Sequence, residues 1–465
     1  MFTLGEIAKA CCGKLIAGEI NRPVSGVSTD SRTIQAGGLF IALRGPHFDG
    51  HEFLEDAFRK GAACALVDRQ AQNGAYPLVL VPDTLKALQH LASFYRSHFS
   101  ITFVAITGSA GKTTTKECVG VLLSDVFRVR TGHGNWNNHI GVPLNLFSLS
   151  TDDQCLILEL GANHVGEIAL LSQIAQPTVG VITGIYPVHL EGFGSMERIY
   201  QAKLELADFL DRTRGTVIAN GDDPELLRRL RGRQFHLITF GTTSHCNYVL
   251  SDLTADNGFI YFQVNHQFEF RLRGYGLFNA ANALAAIATA GYFNLDLESL
   301  SRSWQRLPVI EQRFCLGHLG ALDIELIDDS YNANPKSFEQ AVASFSMQAS
   351  GRRKIVVSGD MLELGENASS YHEALGRLLA ERSTDVLIAV GPLSRFTVES
   401  FRSLKPQAMS AHFQNVEEAG PFVASVLREG DSLLIKGSHG TRLHEIKLFL
   451  HENFKTANNI AVIRS

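Results

Sequence analysis

One junction constrains this chain more than any other feature. The run Ile101-Thr-Phe-Val-Ala-Ile106 leads straight into Thr107-Gly-Ser-Ala-Gly-Lys-Thr-Thr114, and a helical pattern over 112–123 follows. Six residues rich in β-branched and aromatic types favour a buried strand. Gly108 and Gly111 let the turn fold so tightly that the N–H groups of Thr107, Gly108, Ser109, Ala110, Gly111 and Thr114 can face one point. The positive end of the helix faces it too, which suits a phosphate. Lys112 can reach the terminal phosphates of a nucleotide, and the Thr113 hydroxyl suits Mg²⁺. The usual pattern has four residues between its glycines, and here there are two. Taken alone, G-x-x-G-K-T could be an ordinary strand–helix turn; the strand before it and the helix after it favour the phosphate-binding reading.

A strand feeding such a turn belongs in a parallel sheet, and the chain repeats the pattern. At 465 residues it is too long for one hydrophobic core. In residues 1–100, helices at 4–12, 52–60 and 84–98 alternate with strands at 39–43, 63–67 and 78–81. In residues 101–308, further buried strands are expected at 155–160, 179–183 and 215–219, short alternating strands over 248–272, and an alanine-rich helix at 279–290. In residues 309–465, strands at 322–327, 354–357, 386–390 and 432–435 alternate with helices around 336–347, 369–382, 394–402 and 441–453. The expected class is α/β in three domains, with a central parallel-sheet domain between a small N-terminal α/β domain and a doubly wound C-terminal one.

Composition removes several classes. A net charge of −5 gives no basic balance for nucleic acid. No apolar run reaches the roughly 18 residues of a membrane helix, and Glu6 stands where a secretory signal needs a basic, then apolar, stretch. The chain therefore reads as cytoplasmic. Seven cysteines without C-x-x-C spacing read as reduced, mostly buried thiols. A GTPase switch would carry D-x-x-G and N-K-x-D after the loop, and neither is present.

Other residues could complete a site. Glu159 ends the 155–160 strand, where a carboxylate would serve a hard cation; it could equally cap a loop. His189 follows the 179–183 strand, at the sheet edge where ligands collect, although a lone histidine is more often structural. Lys203 lies in a helical pattern and reads by itself as a solvated lysine. The amide-rich stretch Thr131-Gly-His-Gly-Asn-Trp-Asn-Asn138 suits a loop that hydrogen-bonds a polar ligand, or a long connection. Ile327-Asp-Asp-Ser-Tyr-Asn-Ala-Asn-Pro335 concentrates carboxylates, amides and a ring that could close over ATP; the same residue types also make plain turns.

In order and spacing, these segments resemble the Mur ligases nearly end to end. The likeness includes Ser28-Thr-Asp-Ser-Arg32, Gly45-Pro-His-Phe-Asp-Gly-His51, Gly108–Thr114, Asn135–Pro143, His189–Gly194, Gln201-Ala-Lys203, Asn279-Ala-Ala-Asn282, Arg313, Asp328–Pro335, Gly359-Asp-Met-Leu-Glu-Leu-Gly365 and Lys436-Gly-Ser438. Asp328–Pro335 and Gly359–Gly365 resemble the member that joins D-alanyl-D-alanine to UDP-N-acetylmuramoyl-tripeptide. The resemblance implies an ATP-dependent amide ligase of peptidoglycan synthesis, acting as a monomer. By the same resemblance, Thr113 and Glu159 would hold one Mg²⁺, and His189 with a carbamylated Lys203 a second. Asn279, Asn282, Arg313, Asp329 and Asn332 would contact ATP. Ser31, Arg32, Asp49, His51, Asn137 and Asn138 would serve the other substrates. Two positions depart from the pattern: Phe278 stands where members carry histidine or tyrosine, and His439-Gly-Thr-Arg442 replaces an arginine-rich string.

Overall fold

The computed structural model describes residues 2–69, 76–256, 258–274, 276–303, 313–319 and 323–454. The expected domain boundary at 308 and the first residue of the 322–327 strand lie outside them.

The phosphate-loop strand, Thr102–Thr107, sits inside a nine-stranded sheet. Cys155–Glu159 and Val129–Thr131 lie to one side of it. Val179–Ile182, Thr216–Asn220, His236–Gly241 and Tyr248–Asp256 follow on the other. These seven strands are parallel. Phe259–Val264 and Phe268–Arg273 then close the sheet in antiparallel pairing. The connection from Thr102–Thr107 runs to Val129–Thr131 on one side, and that from neighbouring Val179–Ile182 runs to Thr216–Asn220 on the other, so the crevice beyond their carboxyl ends is a topological switch point, where ligands bind in open α/β sheets. On one face, Lys112–Ser124 packs against Phe278–Tyr292. Alanines dominate that second helix, and their small side chains let the two backbones approach.

The N-terminal domain holds a five-stranded sheet, parallel apart from Lys14–Leu15. Its helix Thr84–Arg96 lies on the central helices Glu167–Ala175 and Gly141–Leu146. A single apolar core therefore runs from Phe2 through Leu91 and Leu171 to Phe235, across both domains. The C-terminal domain has a six-stranded sheet. Its edge strand Cys315–Leu319 is antiparallel and the rest are parallel, with separate apolar layers on its two faces.

The expected central strands and most helices are present. The stretch 248–272 forms three antiparallel strands of nine, six and six residues. Helix Val416–Val426 escapes a sequence reading because Pro421 lies inside it and reads as a breaker. The last helix starts at His444, because a 3₁₀ turn takes up His439–Thr441. All seven cysteines are free thiols; five are buried and Cys12 is exposed. Among the described residues, no helix is long and apolar enough to cross a membrane.

Arg96 ties the first two domains together. It is 6% exposed, and its guanidinium lies 5.3 Å from the centre of the Phe103 ring. It donates to the carbonyls of Ala175 at 3.0 Å, Gln176 at 3.3 Å and Phe99 at 2.6 Å. Two of these acceptors are at the end of helix Glu167–Ala175, whose last carbonyls need donors. Arg96→Ala takes away their donor, and the Ala175 contact is buried. It should cost about 2–3 kcal/mol, seen as a lower thermal midpoint, while an exposed-arginine control such as Arg59→Ala changes little.

Candidate functional site

Both loop glycines are required by their surroundings. Gly108 has φ 148° and Gly111 has φ 80°. A Cβ on Gly108 would lie 2.1 Å from the Thr183 hydroxyl, and one on Gly111 would lie 2.1 Å from Asn282 Oδ1. The two-residue spacing is thus a tight loop pressed between the 183–186 segment and helix Phe278–Tyr292. Thr183 donates to the Ala110 carbonyl at 2.6 Å, Ser109 N–H to the Gly184 carbonyl at 2.8 Å, and Ser109 Oγ to the Tyr186 carbonyl at 2.9 Å. Thr107 turns its hydroxyl into the sheet, where it donates to the Leu160 carbonyl at 2.9 Å. Lys112 folds back on the loop and donates to the Gly108 carbonyl at 2.8 Å. Burial lowers its pKa; Glu159 opposes that shift and Arg313 adds to it.

The loop opens into a cavity of about 730 Å³ to which all three domains contribute. Register sets its floor: Ile106 pairs with Glu159, and Thr107 with Ile182. Glu159 is 4% exposed, and its Oε1 is buried without a hydrogen-bond partner among the described residues. The nearest cation is Lys116, whose Nζ is 3.6 Å from that oxygen. Lys116 also donates to the Gly132 and Gly134 carbonyls at 2.9 and 3.0 Å, fixing the amide-rich loop beside the cavity. Asn137 and Asn138 both line the space. Asn138 Oδ1 also accepts from Ile140 and Gly141 N–H, and Asn137 packs on Gly161.

Lys203 differs most from its isolated sequence reading. It is 1% exposed, not solvated, it lines the cavity, and among the described residues its one hydrogen bond goes to the Ala162 carbonyl at 3.4 Å. Burial, reinforced by the charge of Lys112, lowers its pKa to about 7. His189 lines the same cavity in the left-handed region at φ 49°. Burial lowers its pKa, and Glu363, hydrogen-bonded to its Nδ1, opposes that effect.

The other side is C-terminal. Arg313 donates to the Thr113 hydroxyl at 2.9 Å and lies 4.5 Å from the centre of the Tyr331 ring. Tyr331 accepts from Asn135 at 3.0 Å. Asp329 is paired with Lys436 at 2.6 Å, and Lys436 also donates to the Asn332 carbonyl at 3.0 Å. Asn282 donates to Asn279 Oδ1 at 3.2 Å. Phe278, the departure from the family pattern, meets Phe314 edge-on at 5.5 Å.

Ser31, Arg32, Asp49 and His51 are not brought to this cavity. Ser31 is buried and Arg32 pairs with Asp30. Asp49 and His51 form a cluster with Arg44, Asp68 and Arg69. Tyr331 is the ring expected in the 327–335 segment, whereas Lys116, Lys436 and Glu363 are not singled out by the sequence. Each of these three acts through a partner that helical or turn patterning does not reveal, although the last two lie in motifs that carried the resemblance.

Among the described residues, no three His, Cys, Asp or Glu side chains converge as a ready metal cluster. What lines the cavity is the glycine loop, the basic side chains Lys112, Lys203, Arg313 and Lys436, and Glu159 with its orphaned oxygen. That arrangement can hold a polyanion with a divalent ion beside it. Gly111→Ala should cost about 1–3 kcal/mol through backbone strain and the collision with Asn282. Equilibrium unfolding measures that cost, and Gly134→Ala, where a Cβ meets nothing within 4 Å, separates backbone strain from collision.

Three family models match the chain in order: "Mur ligase family, catalytic domain" over residues 23–96, "Mur ligase middle domain" over 106–290, and "Mur ligase, glutamate ligase domain" over 316–439. The UDP-N-acetylmuramoyl-tripeptide–D-alanyl-D-alanine ligase of Bacillus subtilis is 34% identical over 96% of this chain and 97% of its own length. The ligase of the same name from Escherichia coli is 31% identical, over 97% and 98% respectively. Crystal structure I of MurF from Acinetobacter baumannii superposes with a TM-score of 0.88 at 30% identity, covering 97% of this chain and 99% of that one. MurF ligase from Thermotoga maritima in complex with ADP does so with a TM-score of 0.82 at 27% identity, covering 93% and 98%. With likeness of this extent along nearly its whole length, the chain belongs to the Mur ligase family.

Proposed function

We propose that this chain uses ATP to join the amine of D-alanyl-D-alanine to the terminal carboxylate of UDP-N-acetylmuramoyl-tripeptide, in the cytoplasmic stage of peptidoglycan synthesis and as a monomer. The observation that carries the reading is the phosphate loop with Lys112 opening into one cavity walled by three domains. The names of the full-length relatives add the substrates. In this reading residues 1–100 hold the UDP-sugar, with Ser31, Arg32, Asp49 and His51 near it. Residues 101–308 hold ATP, and residues 309–465 close over it with Arg313, Asp329 and Asn332. Asn279 and Asn282 contact ATP from the central helix, and Asn137 and Asn138 face the substrates.

The chemistry needs activation, because a carboxylate is a poor electrophile and oxide a poor leaving group. A carboxylate oxygen of the tripeptide attacks the γ-phosphorus, ADP leaves, and an acyl phosphate forms. The free amine of D-alanyl-D-alanine then attacks the carbonyl carbon and loses a proton. The tetrahedral intermediate expels phosphate and leaves the amide. No covalent enzyme intermediate is required. Loop N–H groups orient the triphosphate, and Lys112 offsets charge on the transferred phosphoryl group. Meeting domains exclude water from the acyl phosphate.

The residues fit Mg²⁺. The orphaned Glu159 oxygen and the cavity-facing Thr113 are hard oxygen donors, and Mg²⁺ commonly combines one or two protein oxygens with substrate phosphates. His189 and Lys203 fit a second ion once Lys203 has captured CO₂, which converts a cation into an anionic oxygen donor. When bound, such ions withdraw charge from the phosphoryl oxygens.

Incubation with ATP, Mg²⁺, UDP-muramoyl-tripeptide and D-alanyl-D-alanine should release phosphate together with a product of the ligated mass. ATP turnover indifferent to both co-substrates would sink the proposal. Lys112→Ala should lower turnover at least about 100-fold while the protein stays folded. Because the Lys203 amine loses its proton near pH 7, CO₂ capture should rise as pH increases through about 7. Carbon-13 NMR with labelled bicarbonate should show a carbamate that fades on acidification and is missing in Lys203→Arg; a carbamate requiring pH near 10 would contradict it.

A further inference from the structure

The segment Gly359–Gly365 is so far without a task, yet much of the structure is devoted to holding it. Asp360, buried at the end of strand Lys354–Gly359, accepts from Ser394 N–H and Oγ, both at 2.7 Å, and from Leu393 N–H at 3.2 Å. Met361 N–H donates to Nε2 of buried His372 at 3.0 Å, and Leu362 N–H to Ser438 Oγ at 3.0 Å. Met361 and Leu364 are sealed in the C-terminal core. Glu363 stands between these anchors, half exposed, at φ 61°. It is a non-glycine residue in the left-handed region, held there by its neighbours.

Its side chain crosses to the central domain and meets Nδ1 of His189, which is itself left-handed at φ 49°. The backbones meet as well: Glu191 N–H donates to the Glu363 carbonyl at 3.2 Å. Leu190 joins the core cluster of the C-terminal domain. Two strained residues from different domains thus face each other, each fixed by its own domain. A histidine whose Nδ1–H is held by a carboxylate keeps the Nε2 lone pair free. Nε2 of His189 has no hydrogen-bond partner among the described residues.

We propose that Glu363 is a positioning residue for His189. Carried by the C-terminal domain, it fixes the histidine tautomer that turns the Nε2 lone pair to the cavity, so the central half of the site is completed only when the C-terminal domain is docked. The inference rests on the ligase reading for its kinetic test, but its structural test stands apart from it.

The test compares the full-length protein with E363A, E363Q and E363G. In wild-type protein labelled with ¹⁵N-histidine, with H189Q for assignment, the His189 ring should be the Nδ1–H tautomer. In E363A and E363G it should lose that preference. E363G relieves the left-handed strain, so its melting temperature should hold or rise while its tautomer is lost; a merely structural role would leave the tautomer unmoved. In ligation assays, E363A and E363G should lower kcat and raise the half-saturating Mg²⁺ concentration by roughly 10–100-fold, with the KM for ATP nearly constant. E363Q, whose amide oxygen can still accept from Nδ1, should recover most of that loss. An unchanged His189 tautomer in E363G, or wild-type kcat and Mg²⁺ dependence in both E363A and E363G, overturns the proposal. A wild-type protein that shows the tautomer but ligates nothing overturns the ligase reading instead.

Discussion

Because Ile106 pairs with Glu159 on one side and Thr107 pairs with Ile182 on the other, three loops leave the central sheet at one height. Parallel pairing makes this possible, since it brings the carboxyl ends of all three strands together. A one-residue slip would turn Glu159 to the opposite face and point Thr107 out of the sheet. Register is held by apolar burial on both faces: Val104, Ile106 and Ile157 lie in one layer, and Phe103, Ala105 and Leu158 in the other. The placement of the phosphate loop, the orphaned carboxylate and the histidine loop all follows from that alignment.

Around this edge the molecule buries charge, which is costly without partners. Lys116, Lys203 and Lys436 are each 1% exposed, and they are satisfied to different degrees. Lys116 has two carbonyls and two carboxylates, and Lys436 has Asp329 and a carbonyl. Lys203 has, among the described residues, a single long hydrogen bond. The well-paired lysines stiffen loops, and the poorly paired one is left able to change its charge state. Glu159 mirrors Lys203, as a buried group with one atom unsatisfied.

Local signals were legible in the chain and non-local ones were not. The strand, tight turn and helix around residue 107 are consecutive, so their chemistry could be read directly, and Glu159 could be read from its place at the end of an apolar run. Lys203 alone looked like a solvated helix residue, because helical spacing does not say which face another domain will cover. Asp49 and His51 belong to a cluster with Arg44, Asp68 and Arg69 whose use spacing alone could not suggest. Edge strands such as Met409–Phe413 were missed because their exposed residues blur the apolar pattern. Arg96 shows the same limit: its two acceptors on the central domain are 79 and 80 residues away, and nothing near it in sequence points to them.

The distribution of thiols has a practical corollary. Burial pushes the Cys11, Cys64, Cys118 and Cys155 thiols up to about 12, where little thiolate exists to attack an electrophile. Cys12, next to Cys11 in the chain, stands on the surface. A maleimide dye added to the native chain would therefore react first at one address on the N-terminal domain, giving a spectroscopic reporter without any engineered cysteine.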